Sequence, residues 1–194
     1  MARLESKIHE VIVTSLSNNG EAHSAPMGVS EVNAHIVIQP FKPSSTYENL
    51  KRHRQCVINY TDDVRVFAGA LTGHRDWPVL PCNSIDGYYL ESALSHTELY
   101  LEQFEDNNPR SRFEGKVLSE HTHAPFRGFN RAQSAVIDAA VLVSRLHMLP
   151  HEKIQQEIAY LSIAIEKTAG ERELEAWGWL MDKIDQAGII LNND

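Results

Sequence analysis

The chain has 194 residues, enough for one large domain or for a medium domain with an appendage. Its 18 basic and 26 acidic residues give a net charge of −8, which argues against nucleic acid as a partner because that binding neutralises phosphates. No apolar run approaches the roughly 18 residues of a membrane span, and the charged residues 1–10 lack the apolar stretch of a secretory signal. We therefore expect a cytoplasmic globular protein with no membrane contact.

The first 40 residues favour antiparallel β-structure. A β-branched run at residues 11–16 precedes Asn19-Gly20, a pair that suits a tight hairpin turn. Residues 22–29 form the predicted return strand, and residues 34–39 form a third strand. Pro26 lies inside the return strand and cannot donate to a ladder, so this strand is expected to be an edge or to contain a bulge.

A short helix is expected over residues 47–54. Any of the three hydroxyl residues at 44–46 can cap it, and Glu48 follows Ser45 at the spacing of a capping box.

Further strands and turns continue to residue 125. A buried strand is predicted at residues 56–60, and a short helix at 64–71, capped by one of the two preceding aspartates. Residues 72–87 contain several glycines and prolines and are predicted to be a loop. Two long strands are expected near residues 95–104 and 113–123, which favours a barrel over a parallel sheet.

The composition changes after Pro125. Apolar residues at helical spacing predict a helix over residues 131–149, a second stripe from Ile154 to Ile165 ended by Gly170 in a C′ role, and a third stripe ended by Gly188. The predicted fold class is α+β, with a β-barrel in residues 1–125 and a helical subdomain of about three helices in residues 126–194.

The segment before the first predicted helix is a candidate phosphate site. Ser44, Ser45 and Thr46 place hydroxyls and backbone N–H groups at the positive end of a helix dipole, and Lys42 adds a charge. An ordinary helix cap explains the same residues equally well.

The return strand offers a second candidate site, formed by Ala25, Pro26, Met27, Gly28 and Val29. Small residues and a proline that interrupts the ladder let a flat ligand approach the backbone. The alternative is an edge strand that its proline protects from aggregation.

The histidines and cysteines are candidate metal ligands. His121 and His123 lie two apart on one strand face and would supply half of a site, but the sequence shows no third ligand, so no metal site is expected. Cys56 and Cys82 match no metal or redox spacing, and a disulfide between them has little support. No catalytic set is recognisable, so any chemistry is expected to come from a cofactor.

The order of these features resembles the FMN-binding split-barrel superfamily, which includes pyridoxamine-phosphate oxidases and flavin reductases, and within it the DUF447 family of archaeal and bacterial proteins. The resemblance spans most of the chain. It is carried by residues 10–14 (EVIVT), 25–29 (APMGV), 46–50 (TYENL), 59–64 (NYTDDV), 130–132 (NRA) and 135–137 (AVI).

The resemblance implies a split β-barrel homodimer with FMN at the subunit interface and an added helical C-terminal segment. It places the strand at residues 25–29 along the isoalloxazine ring and the hydroxyl residues at 44–46 near the phosphate. Asn59, Tyr60 and Thr61 would lie near the ring or the ribityl chain, and Arg131 would make a charged contact.

Function is expected to follow from the flavin. The first hypothesis is a flavin-dependent oxidoreductase acting on a small substrate, which the resemblance links to pterin-dependent one-carbon metabolism. A second hypothesis is a non-catalytic flavin or ligand carrier that docks to a partner through its helices, and a third is a metal-binding barrel. FMN and a deazaflavin such as F420 remain alternatives for the ligand.

Overall fold

The computed structural model describes residues 7–191, which divide into two compact units. The barrel unit contains residues up to 61 together with residues 77–125. The helical unit contains residues 62–76 together with residues from 126 onward. Residues 62–76, which lie within the range 1–125 predicted for the barrel, thus belong to the helical unit.

Six antiparallel strands form a closed barrel in the order β1-β2-β3-β8-β7-β4. Because the barrel is closed, each of its strands forms hydrogen bonds with a neighbour on both sides along at least part of its length. Apolar side chains fill the interior. The strands are β1 (Ile8–Leu16), β2 (Ala22–Val32), β3 (His35–Ile38), β4 (Gln55–Tyr60), β7 (Ser95–Glu105) and β8 (Arg112–Thr122).

The opening hairpin forms as predicted. Ser17 N–H donates to the Glu21 carbonyl at 2.8 Å, and Gly20 adopts a φ of 79°, which a residue with a Cβ adopts rarely. β3 pairs only with Val29–Val32 of β2, so in the described chain the first part of β2 has β1 as its single strand neighbour. Pro26 lies in that part, which confirms the edge prediction.

The barrel core is closed at one side by α1 (Ser45–His53), whose Tyr47 and Leu50 join the buried apolar cluster of the strands. Ser44 is the N-cap, and its Oγ accepts the Tyr47 N–H at 3.1 Å. The predicted capping box from Ser45 to Glu48 is wrong, because the helix begins one residue earlier than that box requires.

The predicted loop at residues 72–87 contains regular structure that the sequence did not indicate. β5 (Val79–Pro81) pairs with β6 (Tyr88–Leu90) in a two-stranded sheet, with residues 82–87 connecting them. Strands of three residues are too short to show the alternation of polar and apolar residues that marks a strand. The glycines and prolines of this segment therefore led to the prediction of a loop.

Four helices form the helical unit around their own apolar core. They are α2 (Arg65–Thr72), α3 (Arg131–Val143), α4 (His151–Thr168) and α5 (Glu171–Gln186). The expected barrel followed by about three C-terminal helices is thus confirmed, with α2 as an additional helix of this unit. None of the helices within residues 7–191 is long and apolar enough to cross a membrane.

Two helix ends differ from the predictions. α3 ends at Val143, and turns rather than helix continue to residue 149. Gly170 has a φ of −96° and is the N-cap of α5, where its N–H donates to Glu173 Oε2 at 2.9 Å. The predicted C′ role of Gly170 is therefore wrong, whereas Gly188 does adopt the positive φ expected after a helix.

Candidate functional site

An open pocket of about 510 Å³ lies at the N-terminus of α1. Its walls come from the β1–β2 turn, the start of β2, and the first two turns of α1. The lining residues are Ser17, Asn18, His23, Pro43, Ser44, Ser45, Glu48, Asn49 and Arg52. Two of the predicted site residues, Ser44 and Ser45, thus face one cavity.

The local structure of α1 makes this pocket suited to an anion. The first N–H groups of any α-helix have no intrahelical acceptor, and the helix dipole adds a partial positive charge there. Ser44 Oγ satisfies the Tyr47 N–H, which leaves the amides of Ser45 and Thr46 at the pocket end of the helix.

Side chains in the pocket wall add to the partial positive charge of the helix N-terminus. His23 and Arg52 place basic groups in the pocket wall, whereas Glu48 adds one acidic group. His23 Nε2 lies 3.3 Å from the hydroxyl of buried Thr46, so β2 holds the imidazole against the start of the helix. Asn49 is held in turn by its amide donating to Ser15 Oγ at 3.1 Å.

Lys42 does not line this pocket. Its ammonium group is paired with the Asp106 carboxylate and lies 5.1 Å from the centroid of the Tyr47 ring. The hydrogen bond to Asp106 raises the pKa of Lys42, and the same contact lowers the pKa of Asp106. Lys42 therefore ties the segment before α1 to the turn between β7 and β8.

The segment from Ala25 to Val29, predicted to lie along a flat ligand, belongs to β2. Some of its residues pack on the barrel core, and Gly28 is exposed. Val29 is buried in the barrel core, and the partly buried Met27 packs against the same core. Gly28 is exposed, and a Cβ there would lie 2.8 Å from Ile8 Cγ2. The need for a small residue at position 28 thus has a cause within the barrel itself.

Asn59 is completely buried and uses its whole amide within the barrel unit. Its Nδ2 donates to the Ile12 carbonyl at 3.0 Å and to Thr14 Oγ1 at 2.9 Å. Its Oδ1 accepts the Leu90 N–H at 2.8 Å. This side chain joins β4 to β1 and to β6.

Tyr60 and Thr61 follow at the end of β4. Burial raises the pKa of the half-buried Tyr60, and a hydrogen bond with Thr97 opposes that rise. Thr61 Oγ1 donates to the Ser92 carbonyl at 3.0 Å. Neither residue lines the α1 pocket.

Arg131 belongs to the helical unit. It is the first residue of α3 and lines a groove of about 250 Å³ between α3 and α4, beside Asp138 and Tyr160. Asn130 caps α3, with its Oδ1 accepting the Ala132 N–H at 2.7 Å.

A cluster of histidines lies around a buried carboxylate on β7 and β8. His96 and His121 are direct cross-strand partners. His96 Nδ1 lies 2.8 Å from His123 Nε2, and His96 Nε2 lies 3.3 Å from Glu98 Oε1. Glu98 has no exposed surface, and His96 is 2% exposed.

Backbone amides of the β5–β6 connection hold the Glu98 carboxylate. Asn83 N–H donates to Oε1 at 3.1 Å, and Ser84 N–H donates to Oε2 at 2.7 Å. Burial raises the pKa of Glu98, but these two amides and His96 outweigh burial and leave that pKa below its ordinary value. Burial also lowers the pKa of His96.

Cys82 completes this cluster from the same connection. Its Sγ, a ring nitrogen of His96 and a carboxylate oxygen of Glu98 all lie within 4.8 Å of one another. Of these residues, His121 and His123 were predicted as half of a metal site, Cys82 matched no metal spacing, and His96 and Glu98 were not predicted. The spacing His96-x-Glu98 on a predicted strand, facing a second histidine strand, is the signal that marks them.

Family comparisons match nearly the whole chain. The family model described as "Protein of unknown function (DUF447) N-terminal domain" matches residues 9–124, and the one described as "Protein of unknown function (DUF447)" matches residues 130–182. An uncharacterized protein of Methanocaldococcus jannaschii is 28% identical over 148 residues, which are 72% of this chain and 74% of that protein.

Solved structures share the architecture. The crystal structure of an FMN-bound protein of Methanosarcina mazei superposes with a TM-score of 0.79 at 17% identity, over 93% of this chain and 96% of that one. The styrene monooxygenase flavin reductase of Pseudomonas putida superposes with a TM-score of 0.52 at 11% identity, over 61% of this chain and 82% of that one. These likenesses confirm the predicted split-barrel fold.

Proposed function

The chain belongs to the DUF447 family, and we propose that it binds FMN, with the phosphate held in the pocket at the start of α1. The observation that carries this proposal is the pocket itself, in which the N-terminus of α1, with Ser44 and Ser45, meets the basic side chains of His23 and Arg52. The Methanosarcina mazei neighbour, which shares the fold over nearly its whole length, is FMN-bound.

The residues of the pocket fit a phosphate group. The Ser45 hydroxyl and the first amides of α1 would donate hydrogen bonds, and Arg52 would supply the charge that a phosphate dianion requires. A volume of about 510 Å³ exceeds what a phosphate alone needs and lies within the range of small-molecule sites. Glu48 lines the same wall one helical turn before Arg52, and its carboxylate would oppose part of the attraction that Arg52 provides.

Bound FMN would supply hydride and electron transfer, and we propose a flavin-dependent oxidoreductase acting on a small substrate. Support comes from the neighbours of the same fold that are flavin reductases. The resemblance to the family adds substrates of pterin-dependent one-carbon metabolism to those worth screening. Bleaching of the flavin by NAD(P)H or a reduced deazaflavin under anaerobic conditions would support this activity. A flavin that no such donor reduces would favour the carrier alternative.

We also propose a homodimer with the flavin at the subunit interface. Exposed apolar side chains on the barrel strands, Tyr100 on β7 and Leu118 on β8, are each 43% accessible in the single chain. Light scattering of the full chain should give twice the mass of 21.9 kDa, and a stable monomer that retains flavin would refute the dimer.

Two substitutions test the phosphate pocket. Arg52→Gln should weaken FMN binding by about 10-fold or more, because a charge-assisted hydrogen bond contributes about 1.5–3 kcal/mol. Ser45→Ala should weaken it less and should leave the Ser44 cap intact. Fluorescence titration with FMN measures both effects.

The matched control is Arg145→Gln, which removes the same charge from an exposed position of the helical unit. Affinity equal to that of the wild type in Arg52→Gln and Ser45→Ala would refute the placement of the phosphate, even if the protein binds FMN elsewhere.

A further inference from the structure

We propose that Cys82, His96, Glu98 and His121 bind one zinc ion that fixes the β5–β6 connection to strands β7 and β8. Zinc favours four ligands of this kind, drawn from thiolate, imidazole and carboxylate groups. Three of the four donors already lie within 4.8 Å of one another. All four residues belong to the barrel unit, so the proposed site is complete within one compact body.

Distances around Glu98 approach those of a tetrahedral site. Bonds of about 2.0–2.3 Å place neighbouring ligand atoms about 3.3–3.7 Å apart. His96 Nε2 lies 3.3 Å from Glu98 Oε1, and His121 Nε2 lies 3.9 Å from the same oxygen. Strand pairing already sets His96 opposite His121, so binding requires movement of side chains rather than of the strands.

His121 supplies an independent sign of a missing ligand. Its Nε2 atom is buried, yet it has no hydrogen-bond partner within the described residues. A buried polar atom without a partner costs about 1–3 kcal/mol, so such atoms are rare in native structures. A zinc ion beside Glu98 Oε1 would satisfy this nitrogen.

Groups behind the ligands already orient them. Zinc bound at His96 Nε2 would leave the ring proton on Nδ1, which lies 2.8 Å from His123 Nε2 and would donate to it. The Asn83 and Ser84 amides hold the Glu98 carboxylate at 3.1 and 2.7 Å. Such hydrogen bonds behind the ligands are typical of zinc sites, where they fix the tautomer of histidine and the position of a carboxylate.

The charges balance when zinc binds. The Cys82 thiol releases its proton to solvent, and the resulting thiolate together with the Glu98 carboxylate neutralises the two positive charges of zinc. His96 and His121 bind as neutral imidazoles. With two of its ligands, His96 and Glu98, buried, a site with no net charge avoids the cost of burying an uncompensated ion.

Elemental analysis and X-ray absorption at the zinc edge test the proposal on the full chain. Protein incubated with zinc and then gel-filtered should retain about one zinc per chain, with one sulfur at about 2.3 Å and three nitrogen or oxygen ligands near 2.0–2.1 Å. His121→Ala should weaken zinc binding by at least about 10–100-fold in a chelator competition, and Cys82→Ala should remove the sulfur signal.

The matched control is His147→Ala, an exposed histidine of the helical unit, which should bind zinc like the wild type. Thiol labelling of the wild type provides a readout that needs no variant to fold. Zinc should slow modification of Cys82 by about 10-fold or more, since a metal-bound thiolate is shielded, while Cys56 is completely buried in the barrel core. Failure to retain zinc, or zinc bound without a sulfur ligand, would overturn the proposal whether or not the protein binds FMN.

Discussion

Single buried polar residues join strands of the barrel that are far apart in the sequence. Asn59 shows this most clearly. Its side-chain amide forms hydrogen bonds with groups that lie 31, 45 and 47 residues away in the sequence. Each buried donor or acceptor would cost about 1–3 kcal/mol if it lost its partner. The amide therefore specifies how β4, β1 and β6 meet.

Replacement of this amide should destabilise the fold. We expect Asn59→Ala to lower the free energy of unfolding by about 2–4 kcal/mol, because the Leu90 N–H, the Ile12 carbonyl and the Thr14 hydroxyl lose their partner. Urea unfolding followed by circular dichroism measures this loss.

Asn19→Ala serves as the control for this experiment. Asn19 is exposed in the β1–β2 turn, so its substitution should change the free energy of unfolding by no more than about 0.5 kcal/mol. A loss below about 1 kcal/mol in Asn59→Ala would contradict the structural role of the amide.

At the scale of residues, local chemistry could be predicted and distant pairing could not. Three hydroxyl residues before a helical pattern indicated a cap, and Ser44 is one of them. Asn59 was predicted near a ligand, but nothing in the sequence reveals partners more than 30 residues away. The cluster around His96 and Glu98 could not be predicted for the same reason, because their neighbours come from another strand and from the β5–β6 connection.

At the scale of elements, Asp106 connects the β7–β8 turn to α1 and to the segment before it. Its carboxylate pairs with Lys42 and accepts hydrogen bonds from the Tyr47 and Ser111 hydroxyls, each at 3.1 Å. The hydrogen bond from Lys42 is the main reason that the pKa of Asp106 is lowered. This contact positions the start of the helix that carries the proposed phosphate pocket.

The lowered pKa gives this connection a defined pH dependence. A carboxyl group with a lowered pKa in the folded state adds stability that is fully present above its unfolded pKa of about 3.9 and is lost as the pH falls through the folded value. The midpoint of urea unfolding for the wild type should therefore exceed that of Asp106→Asn at pH 6. The difference should narrow as the pH falls below about 3.9.

Asp182→Asn, at an exposed position of α5, controls for the loss of one negative charge and should not reproduce this narrowing. A difference between the wild type and Asp106→Asn that stays constant from pH 6 to pH 3 would show that the carboxylate adds no pH-dependent stability.

Long elements could be predicted because they repeat a pattern, and short ones could not. β7 and β8 have 11 residues each and α4 has 18, which is enough for a clear period. β5 and β6 have three residues each, and hydrogen bonds to the barrel, such as that from Leu90 N–H to Asn59, hold this hairpin in place. Gly170 was misassigned because a glycine between two helices fits either the end of one or the start of the next.

At the scale of the whole molecule, the order of strands and helices predicted the class of fold. A barrel followed by helices was expected from the change in composition after Pro125, and family resemblance identified the barrel as split. The position of residues 62–76 in the helical unit was not expected, because the apolar face of α2 does not reveal which core covers it. Which of the two cores the apolar face of α2 packs against depends on tertiary contacts, and the spacing of apolar residues along the helix does not specify them.

The phosphate pocket, the proposed activity and the proposed dimer all depend on binding of FMN. The absorbance spectrum of the purified full chain, with heat release and mass identification of any chromophore, tests this binding. We predict the bands of an oxidised flavin and release of about one FMN per chain, as expected for a single site that holds its cofactor. A colourless protein that also fails to bind added FMN would contradict the proposed binding.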